Sequence, residues 1–365
     1  KIENHLINKI KKIFRTLYQS LNLNLSKKIS GLKIVKREKG FVLSILTNNY
    51  LSFILRPKKN SDFNLITTSK YEKNKFAIIL QGPLGNDGSF AIETIKILKK
   101  IFPNCRLIIS TWKNEDKNLI NDFKSLNIDV ILNDLPKSRG NGNINLQLKS
   151  TYEAIKFCKI HNIEYTLKTR TDCRILKPNT MDYLESLIEQ FPAYKNKFTK
   201  YRIIANSIAT CKYRIYGLTD ICLFGTTADM ENYFNYQDEL EIINNNNFPE
   251  NKIINDTHVK AEILLTARYL NKIGHKLDWT LEDWWLVLKK YFCVVSASEL
   301  DFFWKKYNWQ FEQKLNKSYS SNSNRLIEFS DWFSLYNDKK LNWSHIDYKE
   351  KWEEVEGKVY KKSVF

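Results

Sequence analysis

Lys168, Arg170 and Asp172 stand at alternate positions inside YTLKTRTDCRIL (165–176), a stretch whose two ends are apolar. Alternate residues of an extended strand share a face, so this spacing predicts charges lined along one side of a core strand. A carboxylate can hold a divalent cation between phosphate oxygens, and Arg or Lys can neutralise a diphosphate directly. The set suits an anionic, phosphorylated ligand. The same spacing also allows a plain Arg170–Asp172 ion pair at a sheet edge.

The elements that would position these charges are legible in the apolar pattern. FAIIL (76–80), RLIIS (106–110) and IDVIL (128–132) are short, nearly continuous apolar runs, as expected of strands buried on both faces. YRIIA (201–205) and DICLFG (220–225) are two further candidate strands. Ile92, Ile95, Leu98, Ile101 and Phe102 recur at helical spacing after the loop QGPLGNDGS. Residues 143–160, 226–240 and 255–273 also have helical patterning. Strand and helix alternating in this cadence predict βαβ units in a Rossmann-like, mostly parallel sheet. Ligands of such sheets bind beyond the carboxyl ends of the strands. The residues there are Gln81-Gly82-Pro83, Ser110-Thr111-Trp112, Asn133-Asp134 and the charged set after the fourth strand; Thr219-Asp220 opens the sixth. No GxGxxG follows the first strand, and neither GxxxxGK[ST] nor GxSxG occurs, which sets aside dinucleotide oxidoreductases, P-loop NTPases and serine hydrolases.

Three segments are expected. Residues 1–70 form a basic N-terminal extension, an amphipathic helix over 1–30 followed by a small β element. Ile2, Leu6, Ile10, Ile13, Phe14 and Leu17 make the helix stripe, flanked by Lys9, Lys11, Lys12 and Arg15. Such a helix suits an anionic bilayer, though it equally suits packing on its own domain. Residues 71–310 form the α/β domain that carries the charged set, and 311–365 an aromatic, polar C-terminal cap without clear period. The chain of 365 residues, 43% hydrophobic and 13% aromatic, has ample material for a folded core. Its net charge of +18 points to an anionic partner, tempered by a composition rich in Lys, Asn and Ile. Basic residues interleaved with stacking aromatics are not visible, so nucleic acid is not the expected partner. Cys105, Cys158, Cys173, Cys211, Cys222 and Cys293 lack metal or disulfide spacing. With no apolar run of about 18 residues and no secretion signal, the expected location is cytoplasmic, peripheral at the inner membrane.

QGPL (81–84), STW (110–112), NINLQLKS (143–150), LKTRTDCRI (167–175) and YGLTDICLFG (216–225) occur in order, followed by the Glu262 region and WKKY (304–307). Together they resemble the WavE family of lipopolysaccharide-synthesis proteins over about residues 75–310. The resemblance implies a GT-A-type glycosyltransferase that moves a sugar from a nucleotide donor to a lipopolysaccharide, capsule or other surface glycan. It places Asp172 where GT-A enzymes keep the last acid of D-x-D, touching the donor through Mg or Mn. Arg170 stands at the first acid's position and leaves metal dependence open, since a guanidinium can do part of a cation's work. By the same resemblance Gln81, Gly82 and Pro83 lie beneath the nucleoside. Thr111 and Trp112 would meet base or ribose, and Asn143, Gln147 and Ser150 would form a ligand-facing polar stripe.

Transfer to an acceptor hydroxyl with inversion needs a carboxylate to take its proton. Glu262, in the helical HVKAEILL after a long loop, is preferred over Asp220; His258 is a further polar candidate. DWTLEDWW (278–285), with Trp304 and Trp309, would form either a stacking floor for sugar rings or hydrophobic core. Two other functions remain open: an inactive carbohydrate-binding or scaffold module, and a basic nucleic-acid-binding protein.

Overall fold

Strand β1 (Phe76–Gln81) is buried at every position, as its run of Phe76, Ile78, Ile79 and Leu80 requires. It pairs in parallel with β2 (Arg106–Trp112) on one side and β4 (Tyr165–Arg170) on the other, and β2 pairs in parallel with β3 (Asp129–Asn133). Helices α1 (Ser89–Ile101), α2 (Lys117–Ser125) and α3 (Ile144–Ile160) link these strands in the order the alternation predicts. The structure, a computed structural model, describes residues 56–63, 71–85, 88–194, 198–212, 214–236, 261–306 and 326–339. Contacts group the chain into two units, 1–57 and 58–365. The expected helix over 1–30 and β element over 31–70 lie almost wholly outside the described residues, as do His258 and Trp309.

The sheet is completed by β6 (Ile203–Asn206), β7 (Leu223–Thr226) and β8 (Phe292–Val295), in the order β3-β2-β1-β4-β7-β6-β8. β7 pairs antiparallel with both β4 and β6, while β6 and β8 are parallel. The fold is therefore mixed α/β on a mostly parallel sheet. The reversal of β7 matters for the site: its first residues, not its last, lie with the carboxyl ends of the parallel strands. A second, two-stranded sheet pairs β5 (Cys173–Ile175) antiparallel with β9 (Phe302–Trp304), matching Cys173 with Trp304.

Helix α3 packs against β1, β2 and β3, and α5 (Thr227–Phe234) packs against α3 and β7. α4 (Thr180–Gln190), α6 (Ala261–Lys272) and α7 (Leu281–Tyr291) complete the main layers. From the expected irregular cap, the described residues contribute a helix, α8 (Phe329–Asn337). It packs on α7 and β8 and buries Trp332 and Leu335 one turn apart, with the Trp332 indole N–H donating to the Phe292 carbonyl at 2.9 Å. All six cysteines are free thiols, and burial pushes Cys105, Cys158 and Cys222 up to about 12, far from the thiolate. Among the described residues no helix is long and apolar enough to cross a membrane.

Candidate functional site

The fourth strand ends one step earlier than its charge pattern predicts. β4 stops at Arg170, opposite Gln81 of β1, and Thr171-Asp172 form the turn into β5. Lys168 and Arg170 share a face of the strand, but Asp172 is a turn residue, because β5 must swing away to pair with β9. The Arg170 fork closes on the Asp172 carboxylate, Nε to Oδ1 at 2.8 Å and Nη2 to Oδ2 at 3.1 Å. Trp304, brought alongside by the β5–β9 pairing, donates its indole N–H to Oδ2 at 2.9 Å, and the Cys173 thiol lies 3.6 Å from Oδ1. The Lys305 N–H donates to the Asp172 carbonyl at 3.0 Å. Arg170 retains 33% side-chain exposure and Asp172 26%, so the pair is set into the surface and reached by solvent. Burial works to raise the Asp172 pKa, but hydrogen bonds and charge from Arg170, with Trp304 and Cys173, hold it below the usual carboxylate value.

Lys168 has a different fate. It is fully buried, lies 5.6 Å from the Phe234 ring centroid, and donates through Nζ to the backbone carbonyl of Asp220. Burial pushes its pKa down to about 8, with Asp220 charge opposing and Arg170 reinforcing the shift. The expectation that all three charges meet one ligand is therefore corrected: the ammonium is sealed against main chain, and only Arg170 and Asp172 reach solvent. Gln147 of α3 donates to the same Asp220 carbonyl at 3.0 Å. Asp220 sits just before β7, so the strand's reversal brings it to the end of the sheet that holds Arg170.

The loop after β1 is laced to this turn. The Gly82 N–H donates to Ser110 at 3.1 Å, the Thr171 N–H to Gln81 at 3.2 Å, and the Thr171 hydroxyl to Pro83 at 2.6 Å. Gly82 adopts φ +120°, a conformation that favours glycine over any residue with a Cβ. Gln81 is buried and Pro83 exposed. Thr111 and Trp112 are both buried; the Thr111 hydroxyl donates to Glu115 at 3.0 Å, and the same carboxylate oxygen accepts the Leu84 N–H at 3.2 Å. Glu115, which ties the first two strand-end loops together, carries no sequence signal beyond its place after a strand.

The expected stripe of Asn143, Gln147 and Ser150 divides. Asn143 is exposed at φ +63° ahead of α3, Gln147 faces Asp220, and Ser150 is buried with its carbonyl accepting from Ser110 at 2.6 Å. The Ser150 hydroxyl turns back to the Leu146 carbonyl at 2.8 Å, so past the first turn the stripe serves the helix and its packing on the sheet and loop beneath it. Glu262 is half-buried in the first turn of α6. A Cβ at Gly142 would come 3.3 Å from the Ala261 nitrogen, so the start of α6 abuts the turn heading α3, at the same sheet end. Tyr233 feels the charges of both Asp220 and Glu262.

The late aromatic segment supplies core. Trp284 and Trp285 are buried, donating to the carbonyls of Cys211 at 3.0 Å and Lys212 at 2.9 Å; Trp304 serves Asp172, and Trp279 packs edge-on to Tyr216. Beneath them Asp283, 5% exposed, accepts from the Tyr216 hydroxyl and lies 2.9 Å from His275 Nε2, with the Asp278 N–H at 3.3 Å. Asp283→Ala would leave the buried Tyr216 hydroxyl and the largely buried His275 ring facing a hole. It is expected to cost about 3–5 kcal/mol in a urea titration, as removal of one partner from a buried pair does. A loss of under about 1 kcal/mol would contradict that role.

A cavity of about 600 Å³, lined by Glu164, Tyr165, Lys200, Thr226 and Asp229 among others, opens at the opposite end of the sheet, beside the start of β4. A metal does not fit the residues around Asp172. Its two oxygens already take four donors, and among the described residues no three His, Cys, Asp or Glu side chains gather to hold a metal ion.

Among solved structures, S. aureus TarS 1-349 is 12% identical, with 78% of this chain and 80% of that one covered and a TM-score of 0.36. A cytidylyltransferase from Leptospira borgpetersenii is 12% identical over 80% of this chain and 99% of its own, TM-score 0.34. A glycosyltransferase involved in glycosylation of the major capsid of PBCV-1 is 11% identical over 60% of this chain and 81% of its own, TM-score 0.31. No curated protein matches. A family model described as WavE lipopolysaccharide synthesis matches residues 76–364, from the first residue of β1 onward, and the chain belongs to that family.

Proposed function

We propose that this chain is a glycosyltransferase that moves a sugar from a nucleotide-sugar donor to a lipopolysaccharide, capsule or other surface-glycan acceptor. Family membership supports the setting in lipopolysaccharide synthesis. The observation that carries the reaction is the Arg170–Asp172 pair, open to solvent at the carboxyl end of a mostly parallel sheet, where open α/β folds bind ligands. The donor diphosphate lies against Arg170. The nucleoside rests over Gln81, Gly82 and Pro83, whose backbone is fixed by Ser110 and Thr171. Thr111 and Trp112 act from beneath that loop as its support. During transfer the bond from the anomeric carbon to the diphosphate breaks, a bond to the acceptor oxygen forms, and a carboxylate takes the hydroxyl proton. Glu262 is assigned as that base, with Asp220 the alternative on the same sheet end.

Incubating the protein with a panel of UDP-, GDP- and CMP-sugars, with a glycan acceptor, tests this reading. Steady release of one nucleotide is the expected result; no release from any donor would leave a non-catalytic carbohydrate-binding module. We further assign the basic segment 1–30 to an anionic membrane surface on its sequence pattern alone. Deleting it is expected to weaken sedimentation with anionic liposomes at least about tenfold, several basic residues each adding about 1 kcal/mol, while activity on a soluble acceptor persists. Equal sedimentation of the two chains would remove that assignment.

A further inference from the structure

Glycosyl transfer from a nucleotide diphosphate donor leaves a diphosphate whose charge something must meet, and among the described residues the Asp172 carboxylate has no open position for a divalent cation to do so. A carboxylate offers about four lone-pair positions. On Asp172 each oxygen accepts twice: Oδ1 from Arg170 Nε at 2.8 Å and the Cys173 thiol at 3.6 Å, Oδ2 from Arg170 Nη2 at 3.1 Å and Trp304 Nε1 at 2.9 Å. A cation binding there would have to displace a donor and then sit against a guanidinium of like sign. Rotating the carboxylate away is opposed too, since Trp304 is fixed by its β9 pairing with Cys173 and the Lys305 N–H pins the Asp172 carbonyl.

The guanidinium, by contrast, has capacity left. Asp172 engages two of its N–H donors, and the others have no hydrogen-bond partner among the described residues. Its remaining face lies 5.5 Å from the Trp304 ring centroid, which fixes its plane. Lys305, next in the chain to Trp304, joins the turn only through its backbone N–H, and its ammonium lies 5.1 Å from the Phe90 ring centroid. Lys168 adds no second cation, being committed to the Asp220 carbonyl.

We propose that the donor diphosphate is held without a divalent cation, by an Arg170 guanidinium that Asp172 and Trp304 hold in place. The inference rests on the donor-site reading above and assigns Asp172 as a positioning residue, not a metal ligand. A planar fork suits phosphate oxygens, which accept two parallel N–H bonds.

Titration calorimetry of the full chain with UDP, GDP and CDP, once in EDTA and once in excess manganese, is the test. The expected result is that one nucleotide binds with the same affinity in both, within about twofold, a difference of under 1 kcal/mol. Arg170→Gln should weaken that binding about 10–100-fold, the range for a lost charge-assisted hydrogen bond, and Arg170→Asp should make it depend on manganese. Binding that needs manganese in the natural chain overturns the inference while leaving the donor site standing. Undiminished binding by Arg170→Gln in EDTA also overturns it. If no nucleotide binds in either condition, the donor-site reading and this inference fall together.

Discussion

Glu262→Gln is expected to lower the rate of sugar transfer about 10²–10⁴-fold, the range a positioned general base contributes, while the donor binds as before. The amide keeps the shape and one acceptor oxygen of the carboxylate but cannot take a proton at neutral pH. Glu262 stands in the first turn of α6, where the Thr266 hydroxyl donates to its backbone carbonyl at 2.9 Å. The helix start is fixed in place because Gly142 admits the Ala261 backbone so closely. Donor affinity by calorimetry and single-turnover transfer measured together separate binding from chemistry. Should Asp220→Asn show the large loss and Glu262→Gln none, the proton goes to the other carboxylate.

Asp172→Ala is expected to lower transfer about 10²–10³-fold, comparable to losing one preorganised donor aimed at developing charge. All four of its acceptor contacts vanish, and Arg170 is left to wander over a surface it now shares only with Trp304. Both side chains are about a third exposed or less, so water can reach the orphaned guanidinium and the stability loss should stay near 1 kcal/mol. The loss should fall on donor KM as well as turnover. Asp172→Asn, which keeps an acceptor for the fork, should recover part of it; a merely structural residue would show no such split. Because the folded-state pKa of Asp172 is lowered, its contribution to stability is fully present above the unfolded carboxylate pKa and fades as pH falls through the folded value. Full activity in Asp172→Ala would overturn its role.

Much of the frame was legible because β1, β2 and β3 are near-continuous apolar runs bounded by Gly, Pro, Asn or Asp, and each lies within two residues of its expected place. β5 and β9, three residues each, are too short to carry a period, so the second sheet that turns Asp172 away from the strand was invisible. β8 abuts the end of α7 with no turn residue between them, which hid it inside an aromatic stretch. The direction of β7 could not be read either, since an apolar run has no sense. At the site, residue type and spacing placed Lys168 and Arg170 on one face but said nothing of depth, and two residues along one strand separate a sealed ammonium from an open guanidinium. The i, i+4, i+7 polar stripe of α3 was real as a stripe; what it faces depends on how the helix lies on β2. Asp283 hid in plain view as an acid on a helix N-terminus, where capping is the ordinary explanation.

Lys168 and Gln147 both grasp the peptide oxygen at position 220 and not its side chain. The hydrogen bonds at this point are thus made to main chain, while the side chain at 220 acts on the buried ammonium only through its charge. Substitution at 220 would keep both hydrogen bonds while removing a negative charge that the buried ammonium feels, so the architecture and the protonation of Lys168 can be altered independently.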